Sequence, residues 1–190
     1  MKENWEKKPD LIFPMDNIHQ ILDQEKNWIL RNIQETDLIK LEYGRMYSKY
    51  RKLMELSYND HQLSKKVYLV AQVNNKIAGQ IVIDWRLLKD ESKSDGVNRA
   101  YLYAFRVYPP FRNKGLGTKM INFCLDYLKS KNFKYATIAC EKKHPLALKL
   151  YERIGFKIYK TEDLPWEFED QKGIKHEVSE PEWVMEKELA

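Results

Sequence analysis

Arg112, Asn113, Lys114, Gly115, Leu116, Gly117 and Thr118 stand in an order that could do chemistry. They follow an aromatic and β-branched run, Tyr101 to Val107, that reads as a buried strand. Pro109 and Pro110 stop that strand, because neither can donate to a sheet ladder. Leu116, Met120, Ile121, Cys124 and Leu128 then recur at helical spacing. The chemistry of such a strand, loop and helix is anion binding. A helix start leaves N–H groups unpaired and carries partial positive charge. Two glycines let the backbone close around an anion, and Arg112, Lys114 and Lys119 add full charges. The competing reading is a glycine turn into a surface helix. A P-loop is excluded because its Lys-Ser/Thr pair is missing, and a dinucleotide fingerprint because Met120 holds the third glycine position.

A second group of residues lies between Thr161 and Glu182. Eight acids (Glu162, Asp163, Glu167, Glu169, Asp170, Glu177, Glu180 and Glu182) face two lysines there, with Trp166 and Phe168 among them. Such a run is either a solvated charged loop or an acidic, aromatic wall that draws in a cationic amine.

The elements that must position these residues fit one domain spanning 1–190, a length that can bury a proper core. The net charge of +5 is mild, the basic residues are spread along the chain, and the acidic C-terminal stretch would repel phosphate, so nucleic acid is not an expected partner. No apolar run reaches membrane-spanning length and the N-terminus is too charged for a signal peptide, so no membrane partner and a cytoplasmic location are expected. Two cysteines far apart read as reduced thiols.

In chain order, 1–15 reads as an arm, and Asn17 to Lys26 as a short helix capped by Asp16. Trp28 to Ile33 reads as a strand. Glu35-Thr36-Asp37 starts a helix carrying Leu38, Ile39 and Leu41. Gly44 to Lys66 continues helical, with Met46, Tyr47, Tyr50, Leu53, Met54 and Leu56 spaced for one buried stripe. Val67 to Val73 and Ile77 to Trp85 are strands around the Asn74-Asn75 turn, and Leu87 to Asn98 is a loop. After the anion loop, a helix runs to about Lys131 and a strand from Tyr135 to Cys140. Pro145 to Ile154 is a helix ended by Gly155. Phe156 to Tyr159 and Trp183 to Glu188 close the chain as strands. Alternation in the second half and adjacent strands in the first predict an α/β mixed sheet flanked by helices.

Two motifs carry a resemblance. Val107-x-Pro109-x-x-Arg112-x-x-Gly115-x-Gly117 resembles the pyrophosphate-binding motif of the GNAT superfamily of acetyl-CoA-dependent N-acetyltransferases. His144-Pro-Leu-Ala147-Leu-Lys-Leu150-Tyr151-Glu-Arg-Ile-Gly155-Phe156 resembles a second motif of that superfamily, with His144 where many members carry Asn. The resemblance spans roughly residues 27 to 189. It implies acetyl-CoA as acyl donor, lying where the strand Tyr101 to Val107 splays from the strand Tyr135 to Cys140. The pantetheine arm would add to the edge at Phe105, Arg106 and Val107, the pyrophosphate would rest on Arg112 to Thr118, and His144 would touch the pantetheine region.

By the same resemblance Tyr151 supplies the hydrogen bond or proton to the leaving thiolate, although pattern alone also fits a half-buried core tyrosine. A backbone N–H near Val107 would face the developing oxyanion. The acceptor is expected to be a primary amine of a small molecule or peptide, cationic or not, attacking directly in a ternary complex. An acyl-CoA sensor without turnover is the alternative. Asp84 and Glu141, both near strand ends, are the candidate bases, and a homodimer stays open.

Overall fold

In a computed structural model, described for residues 16–163 and 165–189, the chain lays down antiparallel ladders before it makes its first long crossover. β1 (His19–Asp23) turns back on β2 (Trp28–Asn32), with Asp23 Oδ1 accepting the Lys26 N–H at 3.1 Å and Asn27 at φ 54°. Two short helical pieces follow: a 3-10 turn at Glu35–Asp37 that runs into α1 (Leu38–Leu41), and then α2 (Arg51–Gln62). β3 (Lys66–Val73) and β4 (Lys76–Asp84) form a hairpin around Asn74 and Asn75, whose φ values of 46° and 65° suit the twist of a two-residue turn. β5 (Arg99–Val107) leads through the prolines into α3 (Leu116–Ser130), and β6 (Tyr135–Glu141) returns parallel to β5. α4 (Pro145–Ile154), β7 (Lys157–Glu162), β8 (Trp166–Glu169), β9 (Lys175–Val178) and β10 (Glu182–Glu188) complete the chain.

The main sheet runs β1-β2-β3-β4-β5-β6-β10-β7, with β10 inserted antiparallel between β6 and β7; β8 and β9 pair with each other apart from it. One face packs Leu102, Ile138 and Met185 against Leu116, Met120, Ile121 and Cys124 of α3 and Tyr151 of α4. The other face of the first five strands packs Tyr68, Val70 and Val82 against Leu38, Leu41, Met54 and Tyr108. The mixed sheet flanked by helices is the architecture the sequence predicts, and both cysteines are buried and free. Among the described residues no helix is long and apolar enough to cross a membrane. The arm expected at 1–15 lies outside the described residues.

Three expectations are corrected. Asn17–Lys26 is not a helix but contributes strand β1. Its inward residues, Ile18 and Leu22, are four apart, a spacing that satisfies both the helical and the strand period, and the ladder offered by β2 decides between them. The helix expected to run through Gly44 to Lys66 starts only at Arg51, because Tyr43, Gly44 and Arg45 all take positive φ. Met46, before that start, leaves the predicted stripe and is exposed; Leu56 lies inside α2 but on its exposed side, while Met54 is buried. The acidic run from Thr161 is not one loop: it holds the β8–β9 hairpin, in which Phe168 and His176 stack inward at 4.9 Å.

Candidate active site

β5 and β6 pair only from Arg99↔Tyr135 to Leu102↔Ile138. Beyond that point β5 runs on to Val107 and β6 to Glu141 without each other, so the sheet opens into a cleft between adjacent parallel strands. The parting has a local cause on β5. The ladder with β4 slips between Val82↔Tyr103 and Gln80↔Arg106, and Ala104 takes φ 50°, a bulge. Gln80, 1% exposed, holds it, donating from Nε2 to the Ala104 carbonyl at 3.0 Å and accepting the Tyr68 hydroxyl on Oε1 at 2.9 Å. Gly79 permits the close crossing, since a Cβ there would collide with the Arg106 carbonyl oxygen. Sequence reasoning missed this bulge, although Gln80 is the lone polar side chain inside the apolar run Ile77 to Ile83.

The bulge and the alternation of the strand aim the backbone at the cleft. Tyr108 N–H bonds Ala78 O on the β4 side at 2.8 Å, so the N–H and C=O of Val107 point to the splayed side. Arg112 Nε donates to that carbonyl at 2.7 Å, and the Val107 N–H meets no acceptor among the described residues. Phe105 and Val107 line the α3 side, where a Cβ on Gly117 would lie 3.1 Å from Phe105 Cζ and 3.3 Å from Val107 Cγ2. Arg106 stands apart from the cleft: its register partner is Gln80, and its guanidinium sits 4.4 Å from the Tyr47 ring centre and 5.0 Å from that of Tyr50.

At the mouth of the cleft, Asn113 and Gly115 take φ values of 58° and 88°, and α3 begins without any side-chain cap. The N–H groups from Asn113 through Thr118 meet no acceptor among the described residues. Leu116 is buried, so it offers the cleft only its backbone, as do Gly115 and Gly117. Lys114 is exposed and at present donates to Pro110 O at 2.9 Å. Lys119 is held elsewhere, donating to Leu22 O at 2.9 Å beside Asp23. A row of free N–H groups around glycines, closed by Arg112 and Lys114, fits a pyrophosphate.

Tyr151 reaches the cleft from α4, 4% exposed, with its ring 6.3 Å from Phe105 and 6.1 Å from Phe156. Burial raises its pKa, and the neighbouring Cys140 and Glu182 push the same way, so the hydroxyl stays protonated and can donate. Tyr101 behaves alike, raised by burial and then by Glu182 and Tyr151. His144 stands at the start of α4, largely exposed, its Nε2 3.2 Å from Glu141 Oε2. Glu141 also pairs with Lys143 at 3.3 Å. Asp84, 4% exposed, lies 3.5 Å from Lys66 and accepts the Arg86 N–H at 3.0 Å; burial raises its pKa despite Lys66.

With this geometry in place, a family model described as the acetyltransferase (GNAT) family matches residues 30–156, which contain the bulged strand, the anion cradle and Tyr151. The chain belongs to the GNAT acetyltransferase family. Acetyl-CoA is the acyl donor of GNAT enzymes, and a crystal structure of the GNAT-fold protein yncA from Salmonella typhimurium holds its cofactor acetyl-CoA; it matches this chain with a TM-score of 0.63 and 18% identity over 86% of this chain and 95% of its own. A GNAT relative in Schizosaccharomyces pombe, N-alpha-acetyltransferase 30, is 26% identical over 65% of this chain and 75% of its own length. An uncharacterized N-acetyltransferase of Methanocaldococcus jannaschii is 27% identical over 47% of this chain, an alignment that spans only 38% of that relative.

Proposed function

We propose that this protein transfers the acetyl group of acetyl-CoA to a primary amine by direct attack in a ternary complex. The observation that carries the reading is the conjunction of the opened β5–β6 edge, the unpaired N–H row from Asn113 to Thr118 and the buried, protonated Tyr151 between them. In this reading Gly115, Leu116, Gly117 and Thr118 hold the pyrophosphate by backbone, with Arg112, Asn113 and Lys114 closing over it. Phe105 and Val107 line the pantetheine arm, His144 stands at its far end, and the Val107 N–H faces the carbonyl oxygen as negative charge develops on it. Tyr151 donates to the departing sulfur.

The acceptor would approach from the sheet face that carries Tyr101 and Tyr103. Two segments meet across that face: Tyr50, just before α2, lies 5.1 Å from Phe168 of the β8–β9 hairpin, and Lys52 bonds Glu169 at 2.5 Å. An extended amine, either the end of a peptide or a small-molecule chain, would lie along these two segments.

Thermal unfolding with acetyl-CoA, CoA and ATP tests the cofactor half of this reading. A ligand at about 100 times its Kd adds about 2.7 kcal/mol, a rise of several degrees. A rise with both CoA species and none with ATP supports it; no rise with either overturns it. Release of free thiol on adding amines then separates an enzyme from a CoA-binding sensor.

A further inference from the structure

Glu182 opens β10 in register with Glu141 on β6 and with Glu162 on β7, so three carboxylates lie side by side on the sheet face that carries Tyr101. Two of them are already engaged. Glu162 is bonded by Lys93, with Lys160 3.7 Å away, and Glu141 pairs with Lys143 and His144. Glu182 is half-buried, and its carboxylate has no hydrogen bond or ion pair among the described residues. Its charge is nonetheless felt by Tyr151, Tyr101 and Cys140, which sets it beside the parting of β5 and β6.

We infer that Glu182 is the base of the transfer, accepting a proton from the ammonium of the acceptor on the Tyr101 side of the cleft. The inference rests on the transferase reading above. An amine entering from this face meets one open carboxylate before it meets the thioester. The ammonium gives one proton to Glu182, which passes it to solvent. The nitrogen lone pair forms the new N–C bond, and the C–S bond breaks with its electron pair on sulfur. Tyr151 protonates that sulfur and is restored by the second proton lost from nitrogen. Per amide formed, one free thiol appears and one proton reaches solvent.

The groups around Glu182 tune it for this task. Burial raises its pKa; Lys93, from the loop 87–98, works against the rise; Glu162 and Glu141 add to it, and Tyr101, Tyr151 and Cys140 complete its surroundings. A carboxylate made more basic than usual is the better proton acceptor near neutral pH.

The test compares the intact protein with Glu182→Gln and with Glu141→Gln, using spermine, a lysine-containing peptide and a peptide with a free N-terminal alanine. Thiol release is read against pH, and the acetyl-CoA-induced rise in Tm is read alongside. Glu182→Gln should lower kcat/KM for the amine by about 100-fold or more, within the span of a positioned base. It should also erase the acidic limb of the pH profile, while the Tm rise with acetyl-CoA persists. Glu141→Gln should keep the acidic limb. An unchanged acidic limb in Glu182→Gln overturns the assignment and leaves the transferase reading standing. A wild-type protein that shows the Tm rise but releases no thiol with any of the three amines overturns the transferase reading itself, and the role of Glu182 with it.

Discussion

The side chain of Gln80 bridges the Ala104 bulge, its amide donating to the Ala104 carbonyl at 3.0 Å while the Tyr68 hydroxyl donates to it at 2.9 Å. That pair of bonds sits under the point where β5 leaves β6, so it links a residue two strands away to the opening of the cleft. Gln80→Leu leaves a buried hydroxyl and a buried carbonyl without partners, at a cost of about 1–3 kcal/mol each. The expected outcome is a Tm lower by several degrees together with weaker CoA binding, read by thermal unfolding and calorimetric titration. Lost stability with unaltered CoA affinity would mean that the bulge keeps its shape without the clamp.

Tyr151→Phe removes one oxygen from a ring packed among Phe105, Phe156 and the main core. The packing survives, so acetyl-CoA should bind as before while turnover falls about 10- to 1,000-fold, around the range for a positioned acid. The raised pKa of the hydroxyl gives this loss a signature. Tyr151 remains protonated well above the ordinary tyrosine value of about 10, so the ratio of wild-type to variant turnover should stay level past about pH 10, where an unshifted hydroxyl would lose its proton. Equal turnover of the two proteins in a steady-state thiol assay would remove Tyr151 from the mechanism.

Local chemistry made some parts of this fold readable and left others dark. α4 occupies the span read from sequence, Pro145 to Ile154, because Pro145 suits a first turn and Gly155, at φ 101°, ends it. The turn into α3 was equally visible, since Gly115, at φ 88°, opens that helix through its own backbone. Asn17–Lys26 was misread because two apolar residues four apart cannot choose between periods, and only pairing with β2 decides. In the β8–β9 hairpin the exposed partners Glu167 and Glu177 masked the alternation of Trp166, Phe168, His176 and Val178. The bulge at Ala104 and the open state of Glu182 are properties of register between strands distant in sequence, which no local window contains.

Asp37 is fully buried and binds Arg31 through both oxygens, at 2.7 Å and 3.0 Å, while also accepting the Gln34 N–H at 2.8 Å. Burial works against its charge, but Arg31 and the Gln34 N–H outweigh it and hold its pKa below the ordinary carboxylate range. A depressed carboxylate contributes stability that is present above the unfolded pKa and is lost as pH falls through the folded one. Asp37→Asn should therefore cost about 3 kcal/mol at neutral pH, as expected when one partner of a buried pair is removed. The gap between the two proteins should narrow on acidification below about pH 4, as denaturant titrations at several pH values would show.

The acidic wall, one of the two readings of the run from Thr161, is smaller than its composition suggests, because most of its acids are engaged. Glu169 binds Lys52, Glu180 binds Lys143, and Asp170 bonds His176 at 2.9 Å while accepting the N–H groups of Lys172 and Ile174. Glu167 and Glu177, opposite each other across the hairpin and both exposed, have no ion pair among the described residues and can act on a passing cation. Changing both to Gln should raise KM for spermine several-fold at low salt and leave kcat unaltered, since screening over a Debye length of about 10 Å at 0.1 M makes such attraction salt-dependent. The wild-type KM should climb with added salt until it meets that of the variant. Asp170→Asn should instead loosen the hairpin turn and disturb kcat and KM together. A KM that ignores both salt and the double substitution would leave the hairpin as a wall of shape alone, with recognition carried by Tyr50, Phe168 and the open carboxylate of Glu182.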